Sequence, residues 1–398
     1  MSTVAIIAEY NPFHNGHLYH LNESKRITGA ENAIAIMSGN FVQRGEPAVL
    51  PKLKRAEYAV RSGLDIVFEM PVRYSTASAQ DFAYAGVEMI NSLGIADYLS
   101  FGAETNDIDA LQKISDCLTN ETASFKSSLN DYLKEGNSYP KARSLALAEE
   151  LGVEYAEIMS KPNNILAIEY LSALTKLDSS IKPVAVTRKG AGHDGSISED
   201  NYASGKMIRE MLHNNDAITS FMPYSIEDKK AIYGTDMESL LNYELLKIKQ
   251  CSSEEAINKY SDILDITPEL INKIRNLTLP ASYEDIIESL KSKEITRSRI
   301  CRVLIHLLLE IKDIKNEILC PYVTILALRK DSSGLLRDTG NRSKIELINK
   351  RSDYNPDNKY SASLYKYDRK ATDLYNLLWY DKYKEIFRNE LSSNIIVF

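Results

Sequence analysis

The sequence predicts an α/β fold: a parallel sheet wrapped by helices over residues 1–215, with a helical insertion at about 105–177, and a mostly α-helical C-terminal domain over 216–398. Three observations carry this expectation. Short apolar runs alternate with amphipathic stretches near the start of the chain, a pattern that right-handed crossovers turn into a parallel sheet. Between residues 105 and 177 the pattern turns helical and polar, as an insertion would. Beyond about residue 215, strand alternation does not return until residues 321–328. A chain of 398 residues is also long enough for two or three domains.

In chain order, residues 4–8 form the first compact β-type run and residues 17–27 the first helix-like stretch. Runs at 33–37, 65–69 and 98–102 supply three more strands, separated by helix-like segments at 51–61 and 79–93. Residues 181–186, Ile-Lys-Pro-Val-Ala-Val, supply a fifth strand, with Pro183 near its start as suits a strand end. In the last part, segments 253–277, 283–292 and 296–316 carry apolar residues at helical spacing, and Thr296 is placed to cap the last of them.

Composition narrows the function classes. Hydrophobic residues make up 44% and charged residues 26%, ordinary globular values that exclude intrinsic disorder. The net charge of −7 argues against a protein that coats polyanions indiscriminately. That average hides an asymmetry: residues 297–398 hold 19 Lys+Arg and 13 Asp+Glu, a net of +6, leaving −13 for residues 1–296. Eight of the 24 tyrosines fall in the same basic segment. Cations beside aromatic rings suit an RNA surface, and they equally suit a solvated helical face with tyrosines at its edge. Cys117, Cys251, Cys301 and Cys320 lack the paired spacing of a zinc site or a disulfide framework, so free thiols and no resident metal are expected. The first residues lack the basic flank of a signal peptide, and the apolar run at 303–309 is well short of the ~20 residues that span a bilayer. A soluble cytoplasmic protein is expected.

The chemistry concentrates in Ala8-Glu9-Tyr10-Asn11-Pro12-Phe13-His14-Asn15-Gly16-His17, where the first strand ends and the first helix begins. Loops converge at the carboxyl ends of parallel strands, and helix N-termini there present unpaired N–H groups to anions. His14 and His17 can sit on one turn around a phosphate, Gly16 admits a close backbone approach, and His20 continues nearly the same face. Half of the six histidines fall between residues 14 and 20, which weighs against incidental surface histidines. The segment Arg188-Lys189-Gly190-Ala191-Gly192-His193-Asp194-Gly195 contains a formal G-x-G-x-x-G, but it follows the fifth strand and no compact helix opens after it. It reads as a phosphate-facing loop flanked by two cations rather than a dinucleotide fingerprint, and no G-x-x-x-x-G-K-[ST] run exists.

The H-x-G-H element resembles the signature of the nucleotidylyltransferase superfamily, whose Rossmann-like domain holds the β- and γ-phosphates of ATP while a nucleophile attacks the α-phosphate. That resemblance implies an I-S-x-T-x-x-R-like segment, and Ala203-Ser204-Gly205-Lys206-Met207-Ile208-Arg209 is the candidate. Ser204, Ile208 and Arg209 fit the pattern, whereas Ala203 and Lys206 replace its usual Ile and Thr. Further segments narrow the likeness: Ser38-Gly39-Asn40-Phe41-Val42-Gln43-Arg44-Gly45-Glu46-Pro47, Phe101-Gly102-Ala103-Glu104, Lys161-Pro162-Asn163-Asn164 and Thr296-Arg297-Ser298-Arg299. Together with the N-terminal run they closely resemble the bacterial tRNA(Met) cytidine acetate ligases through nearly the whole chain.

This resemblance implies an enzyme that activates acetate with ATP as acetyl-adenylate. It then acylates N4 of the wobble cytidine of elongator tRNA(Met), releasing AMP and diphosphate, with Mg2+ as the ATP counter-ion. By motif position, ATP would lie against Ile7, Ala8, Glu9, Tyr10, Asn11, Pro12, Phe13, His14, Asn15, Gly16, His17, Leu18, Tyr19 and His20, with Gly102, Asn163, Arg188, Lys189 and Ser204. His14, His17 and Arg209 would be catalytic, absorbing charge on the departing diphosphate. Arg297, Arg299 and Arg302 would contact RNA. A small-molecule adenylyltransferase of the same superfamily is the alternative, and the basic C-terminal segment, unnecessary for a small acceptor, argues against it. A catalytically silent RNA-binding module is a second alternative, and the clustered histidines with Ser204 and Arg209 argue against that.

Overall fold

The computed structural model describes residues 2–189, 201–226, 229–314, 316–387, 389–392 and 394–398, the Asp353 side chain excepted. The N-terminal part runs β1 (Thr3–Ala8), α1 (Asn15–Thr28), β2 (Asn32–Ser38), the short strands β3 (Phe41–Val42) and β4 (Glu46–Pro47), α2 (Lys52–Arg61), β5 (Ile66–Met70), α3 (Val72–Ser75), α4 (Ala79–Leu93) and β6 (Tyr98–Ala103). Five helices follow, α5 (Ile108–Thr119), α6 (Ala123–Lys134), α7 (Tyr139–Leu151), α8 (Val153–Met159) and α9 (Pro162–Lys176), before β7 (Lys182–Thr187) and α10 (Gly205–His213). The remainder is α11 (Glu238–Lys249), α12 (Ser253–Tyr260), α13 (Pro268–Arg275), α14 (Tyr283–Leu290), α15 (Arg297–Leu309), β8 (Tyr322–Leu328), α16 (Ser333–Arg342), β9 (Glu346–Ile348), α17 (Lys359–Tyr383) and β10 (Ile396–Val397).

All five strands expected in the N-terminal part are present within a residue or two, and the runs of the central strands are buried on both sheet faces, while β7 at the edge is largely half-buried. In β2, residues Ala33 through Met37 are fully buried. Alternate residues feed two cores: Ile34, Ile36 and Phe68 face one, and Ala33, Ala35 and Val67 the other. The strands run β5-β2-β1-β6-β7, every neighbouring pair parallel. The chain therefore leaves β1 to one side for β2 and β5 and to the other for β6 and β7, which opens a crevice at the carboxyl end of β1.

The chain after residue 215 does not stand apart from this sheet. β8 pairs antiparallel with β5, and β9 and β10 pair with β8, so three strands from the last third extend the N-terminal sheet. β8 was legible as an apolar run; its seat beside β5 was not, since pairing partners lie more than 250 residues apart. A buried ionic cluster ties the ends together: Lys52 Nζ lies 2.7 Å from Glu69 and 2.8 Å from Glu390, and Arg351 lies 2.6 Å from Glu390. The tyrosine-rich C-terminal segment is largely internal. Tyr322, Tyr365, Tyr367 and Tyr375 are buried, and of its eight tyrosines only Tyr380 is clearly exposed. Packing of α17, not a base-stacking platform, accounts for most of that enrichment.

Candidate active site

The loop between β1 and α1 is held open by buried groups. Arg55, fully buried on α2, donates to Leu50 O at 3.0 Å, Glu9 O at 2.5 Å and Ser38 O at 3.1 Å, and also to Gly39 O. Asn11 Oδ1 accepts from Val49 N at 2.8 Å, and Tyr224 donates its hydroxyl to Phe13 O at 2.7 Å. Asn15 Nδ2 donates to Asn201 O and Ser220 O. The Asn11–Pro12 peptide is cis and Tyr10 has φ +48°, so the chain turns sharply before the helix.

His14 then caps α1 in an unusual way. Its Nδ1 accepts from Gly16 N at 3.0 Å, while His17 Nδ1 accepts from His14 N at 3.2 Å, a capping box built from two imidazoles. The ring of His14 lies over Gly16 so closely that a Cβ there would stand 2.9 Å from it. With each Nδ1 committed as an acceptor, the neutral rings carry their protons on Nε2 and present them as donors. The rings lie 3.8 Å apart. Burial, with the Arg188 and Arg209 charges, pulls the His14 pKa down to about 3, and burial with His14 pulls His17 well below the usual range. Both are therefore neutral donors at neutral pH. His20 reaches the floor, its Nε2 3.0 Å from Ser100 Oγ.

Around them lies a cleft of about 370 Å³. Of the motif run, Ile7, Ala8, Glu9, Tyr10, His14, Gly16, His17, Tyr19 and His20 line it; Asn11, Pro12, Phe13, Asn15 and Leu18 form the supporting loop and its packing. Gly102, Asn163, Arg188 and Lys189 line the β6–β7 side. Gly102 lets Arg188 lie close against the strand, since a Cβ there would stand 3.2 Å from Arg188 Cγ. Arg188 Nη1 donates to Asn163 Oδ1 at 3.1 Å, and Lys189 Nζ sits 4.7 Å from the Tyr19 ring centroid. Glu104 locks the α9 start to the end of β6, accepting from Asn163 N and Asn164 N at 3.2 and 2.9 Å. Asn164, fully buried, returns a bond from Glu104 N.

Arg209 reaches the site from α10 by donating to Asn11 O at 2.9 Å. The first turn of α10 faces His14, since a Cβ on Gly205 would stand 3.8 Å from His14 Nε2. Ser204 does not line the cleft; its hydroxyl caps α10, accepting from Met207 N at 3.2 Å. Lys206 is exposed and pairs with Glu210. The glycine-rich segment from Gly190 to Gly195 lies outside the described residues. The cleft thus gathers neutral imidazole donors, guanidinium groups and a helix N-terminus, an arrangement that binds polyanionic phosphates and stabilises charge developing on them. Sequence motifs did not point to Arg55, Gln43, Arg44 or Tyr170 as site residues; the last three also line the cleft.

The three arginines expected to meet RNA fare differently. Arg297 is half-exposed and forms two bonds with Glu284 at 2.6 and 2.8 Å. Arg299 is also half-exposed and donates to Asp265 O at 3.2 Å. Arg302 is 9% exposed and paired with Asp265 at 3.0 Å, and its backbone seats Gly45 of the β3–β4 turn. The expectation for Arg302 is corrected: burial and the Asp265 carboxylate commit it to internal packing.

Among the described residues no helix is long and apolar enough to cross a membrane. Residues 1–390 match the family model described as HIGH Nucleotidyl Transferase. A protein named tRNA(Met) cytidine acetate ligase from Thermoanaerobacter sp. (strain X514) is 38% identical over 389 residues, covering 95% of this chain and 96% of its own. One of the same name from Clostridium perfringens (strain ATCC 13124) is 38% identical over 394 residues, with the same coverage. The crystal structure of Thermotoga maritima TmcAL bound with alpha-thio ATP superposes with a TM-score of 0.88 at 27% identity, over 100% of both chains. The chain belongs to the tRNA(Met) cytidine acetate ligase family of HIGH-type nucleotidyl transferases.

Proposed function

We propose that this protein joins acetate to N4 of the wobble cytidine of elongator tRNA(Met) at the expense of ATP, working in the cytoplasm. The observation that carries this reading is the paired-imidazole cap of α1, opening onto a cleft whose other walls supply Gly102, Asn163, Arg188 and Lys189. Acetate is a poor acyl donor because hydroxide is a poor leaving group. Its carboxylate oxygen attacks the α-phosphorus of ATP, the bond to the bridging oxygen breaks, and diphosphate leaves. His14 and His17 donate from Nε2, and Arg209, Arg188 and the α10 N-terminus favour the growing negative charge. Acetyl-adenylate remains, and the cytidine amine displaces AMP from its carbonyl carbon.

The donor set suits ATP phosphates directly. Among the described residues Glu9 is the sole carboxylate lining the cleft, and no group of three or more His, Cys, Asp or Glu is placed to hold a metal. Mg2+ would accompany the triphosphate as its counter-ion, neutralising charge there. The division of labour follows the chain: residues 1–215 bind ATP and acetate, and the basic part of residues 216–398 receives tRNA, with Arg297 and Arg299 able to exchange their internal partners for phosphates. Incubation of the protein with ATP, Mg2+, labelled acetate and bulk bacterial tRNA should label the anticodon of elongator tRNA(Met). Absence of acetate-dependent diphosphate release, with or without tRNA, refutes the reading.

A further inference from the structure

Glu9 is the group that the first half-reaction leaves unexplained. A carboxylate is repelled both by a triphosphate and by acetate, so its place in the cleft lining suits neither the reacting phosphates nor the acyl donor of acetate activation. Its location separates it from most of the phosphate-binding donors. With Gln43, Arg44, Ala79 and Phe82 it forms the flank contributed from the β2–β5 side, whereas Gly102, Asn163 and Arg188 come from the β6–β7 side. It is also held in place: Gln43 N donates to Glu9 Oε1 at 3.0 Å, and Arg55 grips Glu9 O. A carboxylate so fixed is a receptor for an N–H donor, and cytosine presents one in its exocyclic amine.

The neighbours fit the same ligand. Tyr170, 4% exposed, lines the same cleft as Glu9. Arg44 is exposed at the cleft edge and makes no hydrogen bond or ion pair with any described residue. The turn that bears Gln43 and Arg44 is braced against the C-terminal region, for Gly45 adopts φ +77° and a Cβ there would collide with the backbone of Cys301 and Arg302 in α15. One short hairpin thus joins the reaction cleft to the basic last quarter of the chain.

We propose that Glu9 and Arg44 form the acceptor-nucleotide subsite, Glu9 receiving the exocyclic amine of the target cytosine and Arg44 an adjoining RNA phosphate. This rests on the function proposed above. The amine lone pair attacks the carbonyl carbon of acetyl-adenylate, the new C–N bond forms, the C–O bond to phosphate breaks, and AMP leaves as its anion. The surplus amine proton passes to the Glu9 carboxylate and from there to solvent. Glu9 is catalytic in this step because it touches the reacting nitrogen; Arg44 is a positioning residue.

The test uses the full chain with two readouts, acetate-dependent diphosphate–ATP exchange without tRNA and single-turnover transfer from supplied acetyl-adenylate to tRNA. Glu9→Gln keeps the acceptor for Gln43 N, and it should slow transfer by about 100-fold more than it slows exchange. Arg44→Ala should raise the KM for tRNA about tenfold with kcat little changed and lower the salt dependence by about one phosphate contact, and Arg44→Lys should recover most of the loss. Equal losses of exchange and transfer in Glu9→Gln, or transfer at the unmodified rate, overturn the subsite while leaving the ligase reading standing. If the unmodified protein shows no acetate-dependent exchange, the ligase reading itself has failed.

Discussion

Because each imidazole of the α1 cap does one job at Nδ1 and another at Nε2, the two jobs can be separated at His14. Asparagine places its Oδ1 near the position of Nδ1, so His14→Asn retains the acceptor for Gly16 N and loses the outward donor. Glutamine places its Nε2 near the imidazole Nε2, so His14→Gln retains the donor and loses the cap. An N-cap bond is worth about 0.5–2 kcal/mol, and asparagine is among the best N-caps. A hydrogen bond to a charged phosphate is worth about 1.5–3 kcal/mol, which corresponds to roughly 10- to 150-fold in rate. His14→Asn should therefore unfold in urea within about 0.5 kcal/mol of the unmodified protein and lose about 100-fold in acetate-dependent exchange. His14→Gln should show the reverse, losing about 1 kcal/mol of stability while keeping more activity than His14→Asn. Exchange within threefold of normal in His14→Asn would reduce the histidine to a helix cap and refute the reasoning.

Arg55→Met should destabilise the protein by about 4 kcal/mol, since it strips charged donors from the buried carbonyls of Glu9, Ser38, Gly39 and Leu50; a shift in the urea midpoint worth less than about 1 kcal/mol would contradict this. Gly45→Ala combines a left-handed φ with a collision against the α15 backbone and should cost upwards of about 2 kcal/mol, while Gly136→Ala, with left-handed φ but open space, should cost less; equal losses would refute the seat on α15. The His14 pKa falls from 6.5 to about 3 on folding, so the unfolded chain binds more protons between those values. The stability this contributes is present in full above pH 6.5 and drains as the pH falls toward 3, at a rate of at most about 1.4 kcal/mol per pH unit. Added diphosphate should oppose the acid loss by favouring the charged ring, and melting curves from pH 7 to pH 4 that are parallel with and without it would count against anion binding at His14.

The N-terminal strands, the H-x-G-H turn and the cap at Thr296 were legible because local pattern decides them, whereas Gly102, Asn163 and Arg188 were reached through the likeness to the family's motifs. A run such as Ala33 through Met37 has only one stable use, burial on both faces of a sheet, and a histidine-glycine-histidine turn after a strand places its rings by chain geometry alone. The division of the chain at residue 215 was less legible, because a strand's sequence does not name its neighbour. β8 could be read as a strand, but only the folded chain set it against β5 and brought β10, two residues long, to the same edge. The same reason governs the basic C-terminal segment. Composition left both an RNA surface and a solvated helical face open for the eight tyrosines, and burial turned four of them inward, as it did Arg302, which the family likeness had placed on RNA and which pairs with Asp265. Arg55 was invisible in the sequence for the converse reason: its partners are backbone carbonyls, which every residue carries, and only the tertiary structure converges four of them on one guanidinium.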